Sequence, residues 1–217
     1  MSDISVIYHS ANMEDPVFEK KIQDKIIENS GGIPIISVSQ QPMDFGENIC
    51  IGEVGASNFN MFRQVQIALQ TAKTPFVAVT EADCLHPPCY FKFKPPVLDE
   101  CYRNTNIYIL HRHNGFCPKR CSGFSQIVGR EYWLDILNKI FEGKPQWDET
   151  SKKWPGEPFE TGWSFFATED PCISIKTGRG LRPYTQLSSK EIFDEVPYWG
   201  SADKLRDELR FANEENV

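Results

Sequence analysis

Between residues 4 and 39 the chain changes its hydrophobic period twice, and that alternation limits its fold more than any other feature. The opening ISVIYHS is a short run of β-branched and aromatic residues, the composition of a buried strand. Polar ANMEDP follows, and then FEKKIQDKIIENS, in which Phe18, Ile22, Ile26 and Ile27 recur at helical spacing. Gly31 and Gly32 stop that helix, since glycine takes the left-handed conformation of a helix end without a side-chain clash. IPIISVS then returns to an apolar strand. Two strands joined by a helical crossover lie parallel in one sheet, with the crossover right-handed.

The polar loop QQPMDFGEN leads through ICIGEV to SNFNMFRQVQIALQTAK, a helix with Met61 or Phe62, Val65, Ala68, Leu69 and Ala72 on its sheet-facing side. PFVAVT is a compact apolar run between Pro75 and two acids, which suits a central parallel strand. After Cys101, NIYIL and SQIVG read as strands and REYWLDILNKIFEG as an amphipathic helix ended by Gly143. KPQWDETSKKWPGEPFETGW reads as loop, GWSFFAT and CISIKT as strands, and SADKLRDELRFANEEN as a charged surface helix. The expectation is an α/β fold with a mixed, mainly parallel central sheet flanked by helices. One domain, residues 1–217, is expected, with a first half over 1–100 and a second over 101–217. No apolar stretch is long enough to span a membrane and the start lacks the features of a signal peptide, so a soluble cytoplasmic protein is expected.

A net charge of −7 argues against a generally basic nucleic-acid binder, but the charge is unevenly spread. From Cys101 to Arg130 there is no Asp or Glu, while Arg103, Arg112, Lys119, Arg120 and Arg130 are basic. A second acid-free segment, Pro171 to Lys190, carries Lys176, Arg179, Arg182 and Lys190. Two basic islands in an acidic protein predict local recognition of an anion. The seven cysteines are an odd number, which suits reduced thiols. Cys84, Cys89, Cys117 and Cys121, with His86, His111 and His113, offer a zinc site in principle, at spacings looser than paired CxxC motifs. That alternative makes the chain a non-catalytic zinc or nucleic-acid-binding module.

Glu81 and Asp83 close the apolar run TPFVAVTEAD. In open α/β sheets ligands bind beyond the carboxyl ends of the strands, and residues two apart on an extended chain point the same way. Two carboxylates facing one crevice are hard oxygen donors, suited to Mg²⁺ or Mn²⁺ with a diphosphate completing the coordination.

The run from ISVIYHS through GASNFNMFRQVQIALQTAKTPFVAVTEAD resembles the nucleotide-binding half of GT-A fold glycosyltransferases, nearest to small stand-alone enzymes of the bacteriophage type. The likeness covers residues 4–90, and the remainder by general layout. It implies a Rossmann-type sheet and a nucleotide-diphosphate sugar as donor, a UDP-sugar first among candidates. Asp83 matches the last acid of the DXD motif and would bind the metal, while Glu81, where the first Asp usually stands, would reach the ribose or a metal-bound water. Arg63 matches the helix-borne basic residue near the nucleotide, and Tyr8, His9 and Ser10 end the strand that accommodates base and ribose. For an inverting enzyme the resemblance implies a carboxylate base in a later loop, Glu160 of GEPFETGW with Glu157 in reserve, and Trp163 as a stacking surface for sugar or base. Many such enzymes carry a late histidine that completes the metal site. ISIKTGRG has none, and Lys176 or Arg179 would neutralise the diphosphate directly, lowering the dependence on metal. The acceptor expected is a hydroxymethylated pyrimidine in DNA, with Arg112, Lys119 and Arg120 tracking phosphates; a glycan or protein acceptor is the alternative. A sugar-1-phosphate nucleotidyltransferase would need a glycine-rich loop after the first strand, and HSANMEDP has no glycine.

Overall fold

The computed structural model describes residues 2–151, 163–181 and 191–210. The strand β1 (Ile4–Ser10), helix α1 (Pro16–Ser30) and strand β2 (Ile35–Ser39) form the expected crossover unit, and β1 pairs with β2 in parallel. It is extended by β3 (Glu47–Cys50), α2 (Asn58–Thr71) and β4 (Phe76–Glu81). A two-residue strand β5 (Cys84–Leu85) and one turn of helix, α3 (Pro88–Phe91), lead to β6 (Cys101–Asn104), β7 (Ile107–His111) and β8 (Phe116–Lys119). Then come β9 (Gln126–Gly129), α4 (Arg130–Phe141), β10 (Ser164–Phe166) and β11 (Cys172–Lys176). A small hairpin of β12 (Glu195–Val196) and β13 (Gly200–Ser201) precedes α5 (Ala202–Leu209).

The central sheet has seven strands in the order β10-β6-β9-β4-β1-β2-β3. From β4 to β3 it is parallel, and β9 joins antiparallel to both β4 and β6. Strand pleating divides the core in two. Ile4, Val6 and Tyr8 of β1 pack with Phe18, Ile22 and Ile26 of α1, in a cluster that continues to Ile107, Ile173 and Ile175 of the second sheet. Ile7 points the other way, to Phe62, Val65 and Leu69 of α2 and Trp133, Leu137 and Phe141 of α4. A parallel sheet covered on both faces accounts for the unbroken apolar runs of β1 and β4.

The helix ends follow local chemistry. The Asp15 carboxylate accepts from the amides of Val17 and Phe18 at 2.9 and 3.1 Å, Pro16 opens α1 where its missing N–H costs nothing, and Gly31 closes it at φ 67°. Ile27, expected on the buried face, is 50% exposed, because the stripe runs 18, 22, 26 and the next residue turns about 100° away. The second half also departs from expectation. β5, β11, β7 and β8 form a separate four-stranded sheet. Pro118 sits in β8, which is tolerated because β8 is the last strand of its sheet, bridged on its outer side at Phe116 by Phe193. Among the described residues no helix is long and apolar enough to cross a membrane.

Gly129 caps α4 with an ordinary backbone, but a Cβ there would lie 1.5 Å from the Leu98 carbonyl oxygen. Gly129→Ala should therefore lose about 3 kcal/mol in urea unfolding, whereas Gly143→Ala, at φ 68° with open space around it, should lose about 1 kcal/mol.

Candidate functional site

Parallel strands β1 and β4 end side by side, with His9 opposite Glu81, and β11 of the second sheet reaches the same place. The two sheets are joined there by the Ile175 amide, which donates to the Asp83 carbonyl at 2.8 Å. A crevice of about 310 Å³ opens at this junction. On one side lie His9, Ser10 and Glu14, on another Asn60 and Gln64 of α2, and at its inner end Glu81, Asp83 and Lys176.

Buried polar side chains hold the crevice wall. Asn12, at φ 55°, accepts with Oδ1 from the amides of Gln40 and Gln41 at 2.9 Å each, tying the loop after β1 to the loop after β2. Gln64 donates to the Ser10 carbonyl at 2.8 Å and the Val38 carbonyl at 3.2 Å, fixing α2 against both strand ends. The Ser10 hydroxyl accepts from the Asn12 amide at 2.9 Å. With these groups bonded to one another, the wall is set before any ligand arrives.

Glu81, Asp83 and Cys84 bring ligand atoms within 4.8 Å of one another. Cys84 is buried and its thiol donates to Asp83 Oδ1 at 3.1 Å. Burial, reinforced by the charges of Asp83 and Glu81, pushes its pKa well up, so it stays a thiol and the available donors are the two carboxylates. That hard-oxygen pair fits Mg²⁺ or Mn²⁺. The Lys176 ammonium lies 3.7 Å from Asp83 Oδ2 in the same crevice.

Glu14 was missed by sequence reasoning. Its Oε1 accepts from the Thr177 hydroxyl at 2.8 Å, and its buried Oε2 has no hydrogen-bond partner among the described residues. Burial raises its carboxyl to about 7, with Asp83 adding to the rise and Thr177 and Arg179 opposing it. The available signal was positional: an acid in the loop just past the first parallel strand borders the crevice by the strand-end rule.

Several expected residues lie elsewhere. Tyr8 is buried beneath the sheet, its hydroxyl donating to Glu19 Oε1 at 2.6 Å and its ring edge-on to Phe45, so it does not meet the crevice; strand alternation points it at α1. His9 and Ser10 do border the crevice. Arg63 stacks over Phe141 at 4.0 Å and donates to the carbonyls of Lys144 and Pro145 at 3.3 and 2.6 Å, capping the end of α4. On α2, Asn60 and Gln64 take the crevice face, while Arg63 and Gln66 take the α4 face. Trp163 lies under the Arg103 guanidinium at 3.8 Å, packed on the α2–α4 side of the sheet rather than in the crevice. Lys119 borders the crevice; Arg112 and Arg120 do not, and Arg120 sits 5.8 Å over Phe165. Arg179 follows Thr177, its amide donating to the Thr177 hydroxyl at 3.2 Å. Glu157 and Glu160 lie outside the described residues.

The zinc alternative is not supported. Among the described residues the Cys and His side chains form no ligand cluster of their own, and none of the seven cysteines is joined in a disulfide. His86 bonds the Phe124 carbonyl at 2.9 Å within an aromatic cluster.

No family model matches the sequence, and no curated protein matches it. Solved structures match its fold. S. aureus TarS 1-349 in complex with UDP-GlcNAc superposes with a TM-score of 0.51 at 10% identity, over 96% of this chain and 65% of that one. Mannosyltransferase PcManGT from Pyrobaculum calidifontis, in complex with GDP-Man and Mn²⁺, gives 0.49 at 14% identity, over 82% and 58%. The 4-diphosphocytidyl-2C-methyl-D-erythritol synthase from Anaerococcus prevotii gives 0.48 at 12% identity, over 97% and 96%. Against several matched structures this chain spans only 50%, 61% or 58% of their length. The chain thus shares its mixed α/β fold with S. aureus TarS 1-349.

Burial lowers His9 and His86 to about 4 from 6.5, so the unfolded chain binds more protons between those values and their contribution to stability drains as pH falls through that window. Glu14 runs oppositely: raised from 4.5 to about 7, it favours the fold most at low pH and loses that contribution as pH rises through 7. Thermal melts should therefore give Glu14→Gln a midpoint close to wild type at pH 5 and above it at pH 8; a difference independent of pH would contradict the assignment.

Proposed function

We propose that the chain is a glycosyltransferase that moves a sugar from a nucleotide-diphosphate donor, a UDP-sugar first, to an acceptor hydroxyl. The observation that carries this reading is the meeting of Glu81, Asp83 and Lys176 at the carboxyl ends of β4 and β11, beside the α2 face that closes over β1. TarS holding UDP-GlcNAc has this fold and supports the donor class.

In this reading the nucleoside lies along His9, Ser10 and the Asn60–Gln64 face, and the diphosphate lies at Asp83 and Lys176. Asp83, with Glu81, would hold Mg²⁺ or Mn²⁺, which supplies positive charge to the departing diphosphate when bound. Lys176 adds charge at the same pole, where the leaving group becomes most negative. A carboxylate takes the acceptor proton as the bond to the sugar forms; by chain position Glu160 is the first choice and Glu157 the second. The acceptor is a hydroxymethylated pyrimidine in DNA, approached from the side of Lys119, with Arg112 and Arg120 along the phosphates; a glycan or protein acceptor is the alternative. The reaction is assigned to the cytoplasm, in keeping with seven cysteines held outside disulfides.

A thermal-shift screen of nucleotide sugars tests the donor. The right donor, at a hundredfold excess over Kd, should raise the wild-type midpoint by about 5 °C, and Asp83→Ala should at least halve that rise. No response to any nucleotide sugar would sink the reading, and pyrophosphate release from a nucleoside triphosphate and a sugar 1-phosphate would replace it with nucleotidyl transfer. The acceptor is tested separately by binding to hydroxymethylated duplex DNA. Affinity should fall steeply between 50 and 200 mM salt, and Lys119→Ala should flatten the salt slope by about one unit; an absence of binding at low salt removes DNA as the acceptor.

A further inference from the structure

Backbone pairing at the end of β11 fixes where the Lys176 side chain leaves the strand. In β11, Ser174 pairs with Cys84 of β5, the Ile175 amide donates to the Asp83 carbonyl at 2.8 Å, and Lys176 stands opposite His111 of β7. These contacts on both sides of the strand end bring the ammonium to 3.7 Å from Asp83 Oδ2, with both side chains mostly shielded from solvent.

We propose that Lys176 is the built-in counter-cation for the donor's diphosphate, so that nucleotide binding in this crevice does not require a divalent ion; this rests on the nucleotide-sugar reading. An ammonium carries three donors on one rotatable head, so it can donate to Asp83 and to phosphoryl oxygens together. A divalent ion bound at Asp83 Oδ2 would sit against that ammonium, and like charges about 4 Å apart in a partly shielded crevice repel strongly. The metal and Lys176 therefore compete for one carboxylate oxygen, and Lys176 is the partner the fold supplies. When no metal is bound, Asp83 acts as a positioning residue that orients the ammonium toward the diphosphate. Lys119, on the same crevice wall, adds a second positive charge.

Calorimetric titration of UDP and of GDP, each in EDTA and in Mn²⁺, tests this with wild type, Lys176→Met and Lys176→Arg. Wild type should bind one of the nucleotides in EDTA with a Kd within about threefold of the Mn²⁺ value. Lys176→Met should weaken binding in EDTA by about tenfold or more, the worth of a charge-assisted hydrogen bond, while Lys176→Arg keeps the charge and most of the affinity. Binding that appears only with Mn²⁺ overturns the proposal and leaves the nucleotide-sugar reading standing, as does a Lys176→Met protein that binds in EDTA like wild type. Failure of both nucleotides in both buffers removes the proposal and the reading together. The wild-type comparison alone is decisive if a variant fails to fold.

Discussion

The parallel pairing of β1 with β4 sets His9 beside Glu81, and the crevice depends on that register. Shifting β4 by one residue would reverse its faces, turning Val77 and Val79 from the α2–α4 core toward α1 and moving Glu81 away from the strand end. Packing on both faces prevents this, because the two clusters demand opposite alternations from the same strands. Burial of apolar side chains far from the crevice thus decides which acids appear in it.

The join to the second sheet is narrower. The link from Ile175 to Asp83 and the β5–β11 pairing bring a lysine from the second half of the chain to an acid from the first. Each charge lowers the cost of shielding the other from water. Glu14 lies close by, where the Thr177 hydroxyl and the Arg179 charge only partly offset its burial, and burial answers by favouring its protonated form. The crevice therefore stores two kinds of readiness, a paired charge and a carboxyl near its titration point, in a region whose stability comes from the apolar layers behind it.

Much of this fold could be read from periodicity and breakers. The crossover unit, the α2 stripe and the apolar β4 all follow from local pattern, and Asp83 followed from where a parallel strand ends. Face assignment was harder. Arg63 and Gln64 are neighbours in sequence, yet one caps α4 and the other walls the crevice, and the choice is made by a helix that begins at Arg130. Tyr8 lies among residues that border the crevice, but its ring is drawn below the sheet to Glu19. Part of the basic island serves the fold: Arg103 covers Trp163, and Arg130 donates to the carbonyls of Leu69, in the last turn of α2, and of Thr74, just past it, at 3.4 and 3.1 Å. Charge counts along a sequence do not separate cations that serve the fold from those that meet a ligand.

The division of labour between the sheets follows from how each strand end is held. The groups proposed to hold the donor stand at the ends of β1, β4 and β11, which are interior strands of their sheets, so their positions tolerate little change. Lys119 stands at the end of β8, an edge strand continuing into the segment that carries Arg120 and Ser122. An edge can lengthen, twist or change charge without disturbing a ladder beyond it. On the proposed reading, a change of acceptor would fall there first, leaving the Asp83–Lys176 pole, whose strands are paired within their sheets, unchanged.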